Sequence, residues 1–252
     1  MSHEIFITQA GLAEGAGKSR WPARLDILQS LSGLVLALFM WGHMFFVASI
    51  LFGADAMWMI TKLFEGYFFF DESHPRLVSG VVAGIILVFV IHAGLALRKF
   101  PVSYRQYKLI RAHARAMRHG DTLLWTWQAY TGFLLFFLAS AHLYQMLVWP
   151  QDIGPYASSD RIWSDGLWPF YLVLLLTVEL HGGIGLYRLA VKWWVDAPRT
   201  VLRRLKWFLT AFFLVLGLAT LAAYMKIGFE HREHYGERYT PAWLAPEQEG
   251  GR

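Results

Sequence analysis

Four of the ten histidines in this 252-residue chain stand inside long apolar stretches: His43, His92, His142 and His181. An ionisable group in such a span is costly, and its presence points to function by default. Imidazoles in that setting can do three things. A single ring can hydrogen-bond between helices. A file of rings can relay protons. Two neutral rings facing each other at one depth can hold a b-type haem, for which the core of a helix bundle provides room. Depth helps to choose. At 1.5 Å per helical residue, His43 lies about 28 Å from Arg24 and His142 about 32 Å from Asp121. His92 lies only about 9 Å from Arg98, and His181 about 16 Å from Lys192. Two depth-matched pairs result, His43 with His142 and His92 with His181, and they predict two stacked haems. The proton relay and plain interhelical hydrogen bonds are the competing readings.

Glycines accompany these histidines: Gly42, Gly94, Gly182, Gly183 and Gly185. Small residues leave room for a flat ring, and they equally let two helices approach closely. Two carboxylates are also well placed for chemistry. Glu179, in "VELHGG", lies inside an apolar span, where a carboxyl must be paired or protonated. It is two residues from His181, so the two side chains point about 200° apart on a helix. It is read either as a hydrogen-bonded neutral acid or as a proton carrier. Glu65, in "KLFEGYFFF", sits among aromatics between two spans, as an interfacial glutamate or as a base receiving a proton from a quinol.

The elements that must carry these groups are transmembrane helices. The chain is 56% hydrophobic and only 16% charged, against about a quarter charged in an ordinary soluble domain. Five blocks reach the roughly 20 apolar residues a span needs: 25–52, 77–97, 123–148, 168–191 and 205–225. The predicted class is an all-α membrane protein, residues 1–252 forming one integral-membrane domain with the haem bundle in spans one to four. Pro75, Pro101, Pro150, Pro169 and Pro198 fall near span ends. The polar first 24 residues lack the apolar core of a signal peptide, and the first span is too long to be one, so it is expected to be retained. There is no cysteine, which excludes disulfides and cysteine-held iron–sulfur clusters in this chain.

Basic residues give the orientation. Lys18, Arg20 and Arg24 precede span one. Seven more, from Arg98 to Arg118, join spans two and three. Arg188, Lys192, Arg199, Arg203, Arg204 and Lys206 flank the connection between spans four and five. The remaining seven of the 23 lie on the other side. The basic side is expected to be cytoplasmic, with the C-terminus outside. The loop "RKFPVSYRQYKLIRAHARAMRHGD" suits an interfacial helix on anionic lipid, or a dock for a soluble partner. Nucleic acid is not expected, because topology accounts for the net charge of +5. No internal repeat or low-complexity tract stands out.

With these features in view, the chain resembles the dihaem cytochrome b subunit of bacterial quinol:fumarate reductase, the five-span anchor of the succinate:quinone oxidoreductase superfamily. The likeness covers nearly all of it; "RKFPVSYRQY", "MRHGDTLLWTWQAYTGFLLFFLASAHLY" and "WPFYLVLLLTVELHGGIGLYRLAVKW" carry it most specifically. The resemblance implies four axial ligands: His92 and His181 for a proximal haem b, His43 and His142 for a distal one. It implies Glu65 in menaquinol oxidation and Glu179 in transmembrane proton transfer. It matches Gln29, Ser30, Trp125 and Lys192 to proximal propionates and suits Arg161 to a distal one. It further implies a bacterial cytoplasmic membrane, an iron–sulfur subunit and a flavoprotein subunit on the cytoplasmic side, and a dimer of heterotrimers. A succinate dehydrogenase anchor working in reverse, a cytochrome b serving a hydrogenase or formate dehydrogenase, and a haem-free proton-coupled transporter remain as alternatives.

Overall fold

A computed structural model describes residues 19–117, 120–194 and 196–244. His3, Lys18, Arg118, His119 and Arg252 lie outside the described residues. Among those described there is no β-strand, and five helices are long and apolar enough to cross a membrane.

Helix α1 spans Trp21–Val47, with Pro22 in its first turn, and runs on as a 3₁₀ segment, Ala48–Phe52. Proline is tolerated there because the first N–H groups of a helix have no intrahelical acceptor. Gly53, at φ 111°, ends the segment in a conformation open to glycine. Two short helices follow, α2 (Ala54–Phe64) and α3 (Tyr67–Phe70). Helix α4 spans Arg76–Leu97, α5 spans Tyr104–Met117 and α6 spans Gly120–Val148. Helix α7 spans Pro155–Trp163, α8 spans Trp168–Trp193 and α9 spans Arg199–His231. The 22 residues of α4 already give about 33 Å, enough for a hydrocarbon core of about 30 Å.

The helices extend past the apolar blocks, most of all α9, predicted at 205–225. Apolar content reports the part in lipid, whereas flanking Arg, Lys and His residues stay helical beyond it. The short helices α2 and α7 occupy connections that sequence leaves without structure.

Helices α1, α4, α6 and α8 form a ring: α1 packs on α4, α4 on α6, α6 on α8, and α8 back on α1. Helix α9 lies outside the ring against α8, α7 and α1. Glycines set its closeness. A Cβ on Gly217 would lie 2.5 Å from Leu175 and 2.7 Å from Met44, and one on Gly228 would lie 2.5 Å from the Ser159 carbonyl. Buried Met44, Leu175 and Phe213 fill that seam.

At the end opposite the basic connections, the C-terminal segment is tied down by polar contacts. The Gly236 N–H donates to Asp160 (3.0 Å), and Tyr235 and Tyr239 donate to Asp165 and Asp55 (2.9 and 2.6 Å). The Tyr239 phenol is pushed up to about 12, first by burial and then by Asp55 accepting its proton. Trp243 meets Trp58 of α2 edge to face.

Candidate functional site

A cavity of about 1110 Å³ occupies the centre of the ring, above the roughly 300–1,000 Å³ of an ordinary small-molecule pocket. It is almost wholly apolar, and all four span histidines line it. His43 of α1 faces His142 of α6, ring centroids 6.2 Å apart. His92 of α4 faces His181 of α8, centroids 6.5 Å apart. Each pair therefore spans a diagonal of the ring. A metal held midway between two imidazole nitrogens, about 2.0–2.1 Å from each, separates the centroids by about 6–6.5 Å. No three His, Asp or Glu side chains converge on a metal site among the described residues. A metal between either pair would need its other donors from a macrocycle.

The two levels are built by one local pattern used twice. Residues 29–43, "QSLSGLVLALFMWGH", and 128–142, "QAYTGFLLFFLASAH", share Gln-x-x-Ser/Thr-Gly followed by nine residues and His. The glycine of each copy faces a histidine donated by a neighbouring helix. A Cβ on Gly33 would lie 2.8 Å from the His92 ring, and one on Gly132 would lie 2.8 Å from the His181 ring. The copy's own histidine comes ten residues later, about 15 Å along the axis, at the other level.

Hydrogen bonds fix the rings nearer the basic connections, His92 and His181, called inner from here on, with His43 and His142 the outer pair. Ser32 Oγ is 3.1 Å from His92 Nδ1 and gives its own proton to the Gln29 carbonyl, also at 3.1 Å. Thr131 donates to the Trp127 carbonyl at 2.8 Å and lies 3.3 Å from His181 Nδ1, which is 3.1 Å from the Gln128 carbonyl. A carbonyl only accepts, and the serine proton is already committed. Both inner rings thus donate from Nδ1, and a neutral ring then keeps its lone pair on Nε2. The outer rings are held otherwise. Phe39 stacks on His43 at 5.9 Å, Tyr171 meets His142 edge to face at 5.7 Å, and His142 Nδ1 is buried with no partner.

Cations mark both ends of the cavity. Lys99, Arg188 and Lys192 line the basic end, beside Gln29, Ser30 and Trp125. Asp26 there binds Arg98, Lys99 and Lys192 at 3.2, 3.0 and 3.2 Å. Ser30 donates to the Asp26 carbonyl, and Gln29 Oε1 is buried without a partner. At the other end Arg161 is only 7% exposed, and one of its terminal nitrogens has no acceptor among the described residues. An unpaired buried guanidinium costs several kcal/mol, so an anion is wanted beside it. Facing imidazoles, an orphaned cation and a roomy apolar chamber fit haem, whose carboxylates would meet these cations.

The two carboxylates lie off the cavity wall. Glu65 caps α2, is 3% exposed, and pairs with Lys62 at 2.6 Å. Lys62 also donates to Ser73. Gly66 follows at φ 76°, where a Cβ would strike Leu77 and Phe70. Glu179 is 1% exposed, with one carboxyl oxygen unpartnered. The Trp41 indole of α1 approaches it and stacks on Phe213 of α9. Of the glycines singled out from sequence, Gly42, Gly182 and Gly185 line the cavity. Gly183 instead receives Thr210 and Lys206 of α9, a helix-packing contact, and a Cβ on Gly94 would meet nothing within 4 Å. Sequence reading did not single out Gly33, Gly132, Ser32, Thr131, Gln128 or Lys62; the repeated pattern holds the signal for the first five.

A family model for the succinate dehydrogenase/fumarate reductase transmembrane subunit matches residues 103–220. The fumarate reductase cytochrome b subunits of two Helicobacter pylori strains are each 52% identical over 233 residues, covering 92% of this chain and 91% of theirs. That of Wolinella succinogenes is 51% identical over 238 residues, covering 92% of this chain and 93% of its own. The chain belongs to this family of membrane-anchoring fumarate reductase cytochrome b subunits.

Proposed function

We propose that the chain binds two haems b, the inner of which would be held by His92 and His181 and the outer by His43 and His142. Through them it would link menaquinol oxidation near the outer membrane surface to an iron–sulfur subunit docked at the basic, cytoplasmic end. A flavoprotein subunit there would reduce fumarate to succinate. The observation that carries this reading is the pair of imidazole couples, drawn from four helices and spaced as a metal between them requires. The relatives' name, fumarate reductase cytochrome b subunit, supports both haem b and this direction over a succinate dehydrogenase anchor. A proton relay through the histidines does not call for a buried guanidinium such as Arg161, one of whose terminal nitrogens has no partner among the described residues.

The haems would supply one-electron transfer across the membrane. The chain's own residues do the rest. The four imidazoles fix position and orientation. Arg161 at the outer end, and Lys192 with Gln29, Ser30 and Trp125 at the inner, receive the carboxylates. The apolar wall excludes water. Glu65 accepts a proton from menaquinol, and Lys62 holds its carboxylate in place until then. Glu179, between α8 and α1, carries protons inward and offsets the charge that moves with electrons. The excess of basic residues on one side supports an N-terminus on the cytoplasmic face of a bacterial inner membrane and a C-terminus outside. Without cysteine the chain leaves iron–sulfur clusters to its partner, and the assembly is a dimer of heterotrimers.

The test is optical. Menaquinol added to the purified complex without fumarate should produce reduced b-type bands, and fumarate should bleach them. A complex that shows no b-type bands under dithionite would overturn the proposal.

A further inference from the structure

The repeated pattern in α1 and α6 does more than supply two ligands. We infer that Ser32 and Thr131, with the Gln29 and Gln128 carbonyls, are positioning residues that set the ligand strength of the inner histidine pair alone. This inference rests on the haem reading above. Each copy brings a backbone carbonyl, a hydroxyl and a glycine to one inner ring. At His181 the Gln128 carbonyl and the Thr131 hydroxyl accept from Nδ1–H at 3.1 and 3.3 Å; at His92 the Ser32 hydroxyl accepts at 3.1 Å, with the Gln29 carbonyl beside it. The glycine lets the ring sit where a Cβ would be 2.8 Å away. Donation from Nδ1 raises electron density at Nε2, and second-sphere acceptors of this kind both orient the ring and strengthen its bond to a metal. A stronger donor favours the ferric state and lowers the reduction potential of the iron it binds.

The outer pair lacks any such acceptor among the described residues. His142 Nδ1 is buried and unpartnered, and both outer rings are held by aromatic neighbours. One sequence pattern thus does opposite jobs at its two ends: the start cradles a partner helix's histidine, and the end presents a histidine with no cradle. The polarity of α1 and α6 then becomes an electronic difference between the two levels.

The test is potentiometric titration of the assembled complex, with Ser32→Ala and Thr131→Val, followed optically and by electron paramagnetic resonance of the oxidised protein. The inner species is identified as the one lost in His92→Ala. Its potential should rise in both variants and its resonance should move, while the outer species keeps its values. Thr131→Ser, which retains the hydroxyl, should restore the native potential. Selective loss of the inner haem, with the outer retained, would carry the same conclusion. Should Ser32→Ala fail to assemble, Ser32→Cys, a weaker acceptor of similar size, should give a smaller rise. Unmoved potentials and resonances in both variants, or equal movement of both species, would overturn the inference alone. Absence of b-type bands in the unmodified complex would overturn the haem reading with it.

Discussion

At the basic end of the cavity each imidazole has an oxygen against its Nδ1: Ser32 for His92, Thr131 and the Gln128 carbonyl for His181. At the opposite end Phe39 and Tyr171 rings restrain His43 and His142, and His142 Nδ1 has no hydrogen-bond partner among the described residues. The inner rings stand at 90° to each other and the outer at 51°. The surroundings differ likewise. Lys99 and Lys192 are partly exposed and share Asp26, whereas Arg161 is buried with a nitrogen unpaired among the described residues. Hydrogen bonding orients a ring and biases its electronics; aromatic packing orients it without the bias. One donor set in two settings gives two unequal sites.

Removing a ligand breaks this comparison most strongly. His92→Ala and His181→Ala should each abolish the same spectral species, and His43→Ala and His142→Ala the other, as read by redox difference spectra. Cross-pairing, such as His43 with His92, would refute the diagonal arrangement. Next come the carboxylates. Glu65→Gln should lower menaquinol-driven turnover by about 10²-fold, the lower range for losing a general base, with haem content unchanged. Glu179→Gln should also impair turnover without loss of haem; unaltered turnover would remove its role.

Glycine substitutions sharpen the contrast. Gly33→Ala puts a methyl against the His92 ring, and overpacking of this kind costs about 1–3 kcal/mol; it should disturb the inner species only. Gly42→Ala has no protein atom within 4 Å yet lines the cavity beside His43. It should therefore lower outer haem occupancy while leaving the haem-free protein as stable as before. Gly94→Ala, off the cavity wall, should do neither.

The smallest effect lies in the cap over the outer end. The raised Tyr239 value means that folding favours the protonated phenol. Its contribution is intact below the ordinary phenol range near 10 and fades as pH rises through about 12. Tyr239→Phe should loosen the C-terminal segment at neutral pH by about 1 kcal/mol, seen as faster proteolysis near Gly236.

Much of this was legible in the residues because a histidine in an apolar span is rare and its distance from a basic flank is countable. The five spans follow from the length of the apolar blocks, and the depth of each histidine from the residue count to the charged flank of its span. What the count cannot give is azimuth and neighbourhood. That α1 faces α6 across a cavity, instead of packing beside it, depends on ring closure among four helices. Gly183 shows the same limit: next to His181 in sequence, it turns toward Thr210 on α9. The pattern shared by 29–43 and 128–142 escapes a search for repeats because its matched positions are few and its copies lie 99 residues apart. Its meaning appears only once His92 and His181, from other helices, are seen against its glycines. The burial of Glu65 was hidden for a related reason, since α2 and α3 fold a connection that hydropathy leaves blank.

The central claim is that two metal-binding imidazole pairs are loaded in one chain. The measurement that meets it most directly is haem b per polypeptide in the purified complex, by the pyridine haemochrome spectrum against quantitative amino-acid analysis. The account predicts two haems per chain, falling to one in His142→Ala. A ratio of zero or one in the unmodified protein would contradict it.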